Sequence, residues 1–266
     1  MKVTNLKVIV TGSIIEVYFY PERVLAYDYQ SNKGVNSGVN RIIDQEEDLR
    51  NKESSVNRTR SNLKRLINAN VYIPNNPFSP VFWTLTFKEN IQDLKVANKI
   101  FSKFIKRLNY FVGNGTKKTF LKYVVVHEFQ ERGAVHYHAI FFNLKFIHVN
   151  ILADIWGQGF IKINKIDCVK NIGSYISKYL GKDLAGGKLD GHKRYFSSRN
   201  LKRPIFIKNQ QACEEILKNI PKEFLVDSRE FQSEYHGKVF YTQFNIGNSG
   251  YHAGLIKRVA GPCDND

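Results

Sequence analysis

The segment Ala134-Val-His-Tyr-His-Ala-Ile-Phe-Phe142 constrains the fold more than any other stretch of this chain. It reads as an apolar strand, and strand side chains alternate between faces, so His136 and His138 share one face. Two imidazoles side by side can share one cation. Burying them beside Ile and Phe has a desolvation cost unless something binds them. The pair therefore asks for a third ligand.

A second apolar run, Phe120 to Phe129, precedes this strand and joins it through Gln130-Glu-Arg-Gly133. A hairpin symmetric about Arg132 sets Glu128 opposite His136, close enough for facing side chains to share a ligand. Glu128 then lies on the face of His136 and His138, while His127 points the other way. A single histidine reads most simply as a hydrogen-bonded or surface residue. Two histidines and a carboxylate in register read as a metal site with positions open for water or a substrate oxygen. Mixed nitrogen and oxygen ligation suits Mg²⁺, Mn²⁺ or Zn²⁺.

The remaining elements suggest an α+β architecture with a central antiparallel sheet flanked by helices. Leu6 to Val10 and Ile14 to Tyr20 form a hairpin across Thr11-Gly12-Ser13, and Gln30 to Asn40 is a polar loop. Asp44 to Asn68 reads as a helix, acidic early and basic late, with Arg58, Arg60, Lys64 and Arg65 beside Leu63, Leu66 and Ile67. Val81 to Phe87 is a strand, and Asp93 to Phe111 is an amphipathic helix. A helix near Val149 to Trp156, a strand at Phe160 to Asn164 and a helix from Val169 to Gly181 follow. After Pro204 come a helix at Gln210 to Asn219 and a β-rich run at Lys238 to Asn245, with no motif. The reading divides the chain into an N-terminal hairpin with linker and helix (1–56), a core (57–204) and a C-terminal appendage (205–266).

Charge narrows the partners. Forty Lys and Arg against 24 Asp and Glu give a net charge of +16, and no apolar run is long enough to span a membrane. The N-terminus lacks the features of a secretory signal, so an intracellular, cytoplasmic location is expected. Between Ile161 and Pro204, eleven Lys and Arg face three Asp and Glu, interleaved with Tyr175, Tyr179, Tyr195 and Phe196. Such a mixture suits nucleic acid, with bases stacking on rings and phosphates held by the cations. Cys168, Cys213 and Cys263 form no CxxC pair and read as incidental reduced thiols.

Tyr175-Ile-Ser-Lys-Tyr-Leu-Gly-Lys182 sets Tyr175 and Tyr179 one helical turn apart, with Lys178 and Lys182 alongside. On its own the helix is amphipathic, its tyrosines half-buried with wet hydroxyls. The chemical alternative is nucleophilic attack by a phenol whose ionisation the lysines favour. A metal on a phosphate would lower the barrier further, and the product would be a phosphotyrosine.

Phe82-Trp-Thr-Leu-Thr-Phe87, Val135-His-Tyr-His138 and Tyr175-Ile-Ser-Lys-Tyr-Leu-Gly-Lys182, in that order, resemble the three motifs of rolling-circle replication initiators of the HUH endonuclease superfamily. The third motif resembles the two-tyrosine form of phage and plasmid initiators. Arg194-Tyr-Phe-Ser-Ser-Arg-Asn-Leu-Lys-Arg-Pro204 resembles a stretch that often follows it. The resemblance covers about residues 57 to 204. It implies a ferredoxin-like or RRM-like sheet with the histidines on a central strand and a divalent metal, Mg²⁺ or Mn²⁺, at the scissile phosphate. Glu128, His136 and His138 would hold the metal, Tyr175 and Tyr179 would attack, and Lys178 would stabilise charge.

Lys182, Arg194, Arg199, Lys202 and Arg203 would contact DNA. The substrate implied is single-stranded origin DNA. No Gly-x-x-x-x-Gly-Lys-Ser/Thr helicase signature is present, so unwinding would need a host helicase, acting with a host polymerase. A transposase or mobilisation relaxase would use the same chemistry. A non-catalytic protein that binds single-stranded nucleic acid is the reading from another class.

Overall fold

The computed structural model describes residues 2–22, 25–27, 45–71, 79–116, 118–165, 173, 193–233 and 236–247. The chain divides into two compact units, Asp44–Lys202 and a second built from Met1–Ile43 with Arg203–Asp266. The architecture is α+β, as the sequence suggests, with two five-stranded antiparallel sheets and four helices among the described residues.

The second unit joins the two ends of the chain. Strands β2 (Leu6–Thr11) and β3 (Ile14–Phe19) form the expected hairpin. They turn at Gly12, whose φ of 61° suits a residue without Cβ. β1 (Lys2–Thr4) pairs apart from them with β4 (Leu25–Tyr27). The larger sheet of this unit also takes β10 (Ile205–Ile207), β11 (Leu225–Ser233) and β12 (Gly237–Asn245), in the order β10-β2-β3-β12-β11. Segments read separately from the sequence as a hairpin and an appendage thus share one sheet. Helix α4 (Gln210–Asn219) packs Cys213 and Ile216 against Val8, Val10 and Val17. Burial pushes the Cys213 thiol up to about 11, which keeps it protonated and unreactive.

The Asp44–Lys202 unit carries the histidines. Its strands are β5 (Val81–Thr86), β6 (Tyr123–Phe129), β7 (Val135–Phe141), β8 (Ile161–Lys165) and β9 (Tyr195–Ser197), in the order β8-β5-β7-β6-β9. Helices α2 (Leu94–Val112) and α3 (Val149–Trp156) follow β5 and β7. The first four strands and these two helices make the β-α-β-β-α-β arrangement of ferredoxin-like folds, with the histidine strand β7 inside the sheet.

Alternation decides which layer each residue serves. Trp83, Leu85, Tyr137, Ala139 and Phe141 face α2 and α3. Leu94, Ala97, Phe101, Phe104 and Leu108 meet them at helical spacing. Asp93 starts α2 by accepting from the Lys95 and Val96 N–H groups at 2.7 and 3.2 Å. On the other face, Phe82, Val124, Val126, Ile140 and Phe142 pack against Leu63, Leu66 and Ile67 of α1 (Gln45–Val71). The sequence also allowed a solvated helix here; the apolar edge of α1 is instead almost fully buried.

Tyr195 and Phe196 correct the sequence reading. They form the short edge strand β9 and are half-buried rather than offered as stacking rings. Phe196 packs edge-to-face on Phe101 at 5.2 Å, and Tyr195 lies against the α1 core.

The loop after α3 closes on the end of β5. Thr86 donates its N–H to Phe160 (2.9 Å), Lys88 to Gln158 (2.7 Å), and the Trp156 indole donates to the Thr86 carbonyl (3.2 Å). Gly159 makes this approach possible. Its φ is 148°, and a Cβ there would sit 2.4 Å from the Thr86 carbonyl oxygen and 2.6 Å from the Lys88 nitrogen. Gly159→Ala is expected to cost about 2 kcal/mol or more, read as a lowered urea midpoint with an unchanged slope. An unchanged midpoint would show that the loop is not held as described.

Candidate metal centre

Glu128, His136 and His138 converge on the α1-facing side of the sheet. Glu128 and His136 are cross-strand partners in the β6–β7 hairpin, and His138 lies two residues further along β7. Ligand atoms from the three residues all lie within 4.8 Å of one another, a cluster that could hold a metal ion. The histidine rings sit 5.0 Å apart.

The shortest contact is diagonal rather than directly across. The Glu128 Oε2 atom is 2.6 Å from His138 Nε2, with both side chains largely buried. Phe82 stacks parallel to the His138 ring at 5.7 Å, which limits how the ring can turn. A carboxylate and two imidazoles this close form a donor set that fits a divalent cation, with oxygen and nitrogen ligands mixed.

Strand β5 supplies two residues that the sequence reading did not single out. Thr84 Oγ1 lies 3.3 Å from His138 Nδ1, and Thr86 Oγ1 lies 2.8 Å from His136 Nε2. Register explains both contacts, because Thr84 pairs with His138 and Thr86 with His136 across the β5–β7 ladder. Period-2 hydroxyls in Trp83-Thr-Leu-Thr86 were the available signal, but only the pairing shows what they touch. A hydrogen bond to one ring nitrogen fixes the tautomer and orientation of the other. Thr86→Val should therefore weaken Mn²⁺ affinity by about 10- to 100-fold in calorimetric titration, with Thr86→Ser restoring it. A valine variant that binds like the wild type would remove Thr86 from the site.

The middle residue of the motif serves the other layer. Tyr137 is fully buried among Phe87, Phe101 and Phe196, and its hydroxyl donates to Asn98 Oδ1 at 2.7 Å. Burial pushes its phenol well above the usual range, so it is a core residue and a poor nucleophile. His127 likewise lies on the face opposite Glu128, buried at 2 % exposure.

Tyr175, Lys178, Tyr179 and Lys182 lie outside the described residues, as does most of the expected helix from Val169 to Gly181. Gly173, two residues ahead of Tyr175, is described and buried against α1. Its N–H donates to Asn68 Oδ1 at 3.1 Å, and a Cβ there would come 2.4 Å from the Lys64 carbonyl oxygen. Arg199, Lys202 and Arg203 are exposed and Arg194 half-buried. Lys202 is also tied through its backbone to the buried Asn70 side chain, 2.9 Å in each direction.

The fold and this cluster together define a ferredoxin-like sheet with a candidate divalent-metal centre on an inner strand. Residues 80–184 match a family model of replication-associated proteins of the ORF2 type. The match runs from just before β5, through the histidine strand, to just past Lys182, and it supports a replication initiator type of protein. Neither the curated proteins nor the solved structures contain a match to this chain. No helix among the described residues is long and apolar enough to cross a membrane.

Proposed function

We propose that this protein initiates rolling-circle replication by nicking and rejoining single-stranded origin DNA through tyrosine transesterification that depends on a divalent metal. The observation that carries this reading is the Glu128–His136–His138 cluster on the β6–β7 hairpin. The similarity to replication-associated proteins supports it, because the matched span holds both the cluster and the two tyrosines.

In this reading Glu128, His136 and His138 hold Mg²⁺ or Mn²⁺, which when bound polarises the scissile phosphate. Thr84 and Thr86 orient the two imidazoles. The Tyr175 phenol oxygen attacks phosphorus, its proton leaving to solvent or a neighbouring base, and the bond from phosphorus to the 3′-oxygen breaks. The products are a 5′-phosphotyrosine and a 3′-hydroxyl that can prime synthesis. One phosphodiester is exchanged for another, so the energy for religation is retained. Tyr179 attacks the regenerated junction in the same way, and Lys178 stabilises the charge that develops. The anchorage of Gly173 on α1, the helix that covers the histidine-bearing face, supports bringing this segment to that side of the sheet.

The test is the Tyr175→Phe/Tyr179→Phe variant, which removes both hydroxyls and keeps both rings. With Mn²⁺ and candidate origin oligonucleotides, wild-type protein should form an adduct that survives denaturing electrophoresis, and the double variant should form none. An adduct from the double variant would overturn the mechanism. Metal-independent binding without any cleavage would favour a non-catalytic single-strand-binding protein.

A further inference from the structure

Helix α2 carries a second chemical feature on the sheet face away from the histidines. Its sequence contains no acidic residue, and Lys95, Lys99, Lys103 and Lys106 are all exposed. At 100° per residue these four and Tyr110 fall within one narrow stripe, spaced about 4.5–6 Å apart along the axis. The stripe borders a seam between α2 and the edge strand β9 in which two cavities open. One, about 320 Å³, is lined by Asn98, Ser102, Lys193 and Phe196. The other, about 790 Å³, lies at the C-terminal end of α2 and is lined by Lys106, Tyr110, Tyr123, Ser197 and Arg199 among others.

The larger cavity has firm walls. Asn109 accepts from the Phe120 and Leu121 N–H groups at 2.8 and 3.2 Å and donates to the Lys118 carbonyl, tying the 118–121 segment to α2. The Ser198 hydroxyl accepts from the Tyr123 N–H at 3.0 Å and so fixes the β9 side. Tyr110 is 57 % exposed, and the turn at Gly115 lies against its ring, with a Cβ there only 3.5 Å from Cζ.

We propose that this α2–β9 seam binds a stretch of single-stranded DNA separate from the one at the metal centre. Phosphates lie along Lys99, Lys103 and Lys106, and a base enters the larger cavity beside Tyr110 and Arg199. A line of evenly spaced cations without acids matches a phosphate backbone. An exposed ring beside an open cavity matches an unpaired base, whose faces a duplex does not offer. The assignment of the polyanion as DNA rests on the proposed function; the groove itself rests on α2 and β9 alone.

Fluorescence anisotropy with a labelled single-stranded 20-mer in EDTA separates the two. Lys99→Ala/Lys103→Ala/Lys106→Ala should weaken binding by about tenfold or more and flatten the log-affinity salt slope by about 2. Lys145→Ala/Lys218→Ala/Lys222→Ala removes the same charge at other exposed positions and should change affinity by less than about threefold. Tyr110→Ala should lose about tenfold for the single strand but not for a duplex, and Tyr110→Phe should bind like the wild type. Equal losses in both lysine variants, or an unchanged Tyr110→Ala, would overturn the proposal. Intact binding in EDTA with no nicking in Mn²⁺ would support the groove while contradicting the catalytic reading.

Discussion

Glu128→Gln is expected to abolish specific divalent-metal binding and to lower origin nicking by about a thousandfold. The substitution keeps the shape of the side chain and removes only its charge. Changing even a group that orients a metal ligand costs about 10- to 100-fold in affinity, so losing the ligand charge itself should cost more. Polarising a phosphate supplies several kcal/mol of transition-state stabilisation, and about 4 kcal/mol corresponds to a thousandfold in rate. His138→Ala should act in the same direction, because His138 Nε2 is the atom that meets the Glu128 carboxylate. Calorimetry with Mn²⁺ measures the first effect and gel-based nicking the second. A Gln variant that nicks normally would place the chemistry elsewhere.

Phe101→Ala is expected to act through stability instead. The ring is fully buried and touches Phe104, Tyr123, Tyr137 and Phe196, at centroid distances of 4.8–6.3 Å. Removing a large buried aromatic costs about 3–5 kcal/mol, because neighbours relax only partly into the space. Phe101 backs directly onto Tyr137, the residue between the two histidines, so the same change should loosen the strand that carries the site. Denaturant unfolding should show the loss of stability, whereas Glu128→Gln should leave the midpoint much closer to wild type. A Phe101→Ala midpoint near wild type would mean that the α2 core is not what holds β7 in place.

Much of the site was legible because its geometry is local. The β6–β7 hairpin has one short turn, so alternation and register follow from the residues around Arg132, and Glu128 does face His136. The choice of the diagonal Glu128–His138 contact was not legible, since it depends on side-chain torsions and on Phe82 beside the ring. Thr84 and Thr86 were hidden for a different reason. Their partners lie 54 and 50 residues away in sequence, and no local pattern encodes that pairing.

The same limit explains the strands that the sequence concealed. β11 reads Leu-Val-Asp-Ser-Arg-Glu-Phe-Gln-Ser, too polar to signal a strand, because as a sheet edge it stays largely exposed. β9 sits inside a basic stretch whose rings looked available for bases until Phe196 was found against Phe101. The α2 lysine stripe was present in the sequence all along. Its meaning depends on the seam with β9, which only the fold reveals.

The central claim is that a tyrosine of this chain attacks DNA with the help of a metal held by Glu128, His136 and His138. The most direct measurement is mass-spectrometric mapping of the adduct formed by wild-type protein with single-stranded origin DNA and Mn²⁺, with EDTA as the control. The expected result is a nucleotide remnant on the peptide containing Tyr175 or Tyr179, absent in EDTA. A remnant on any other residue, or one that forms equally in EDTA, would contradict the account.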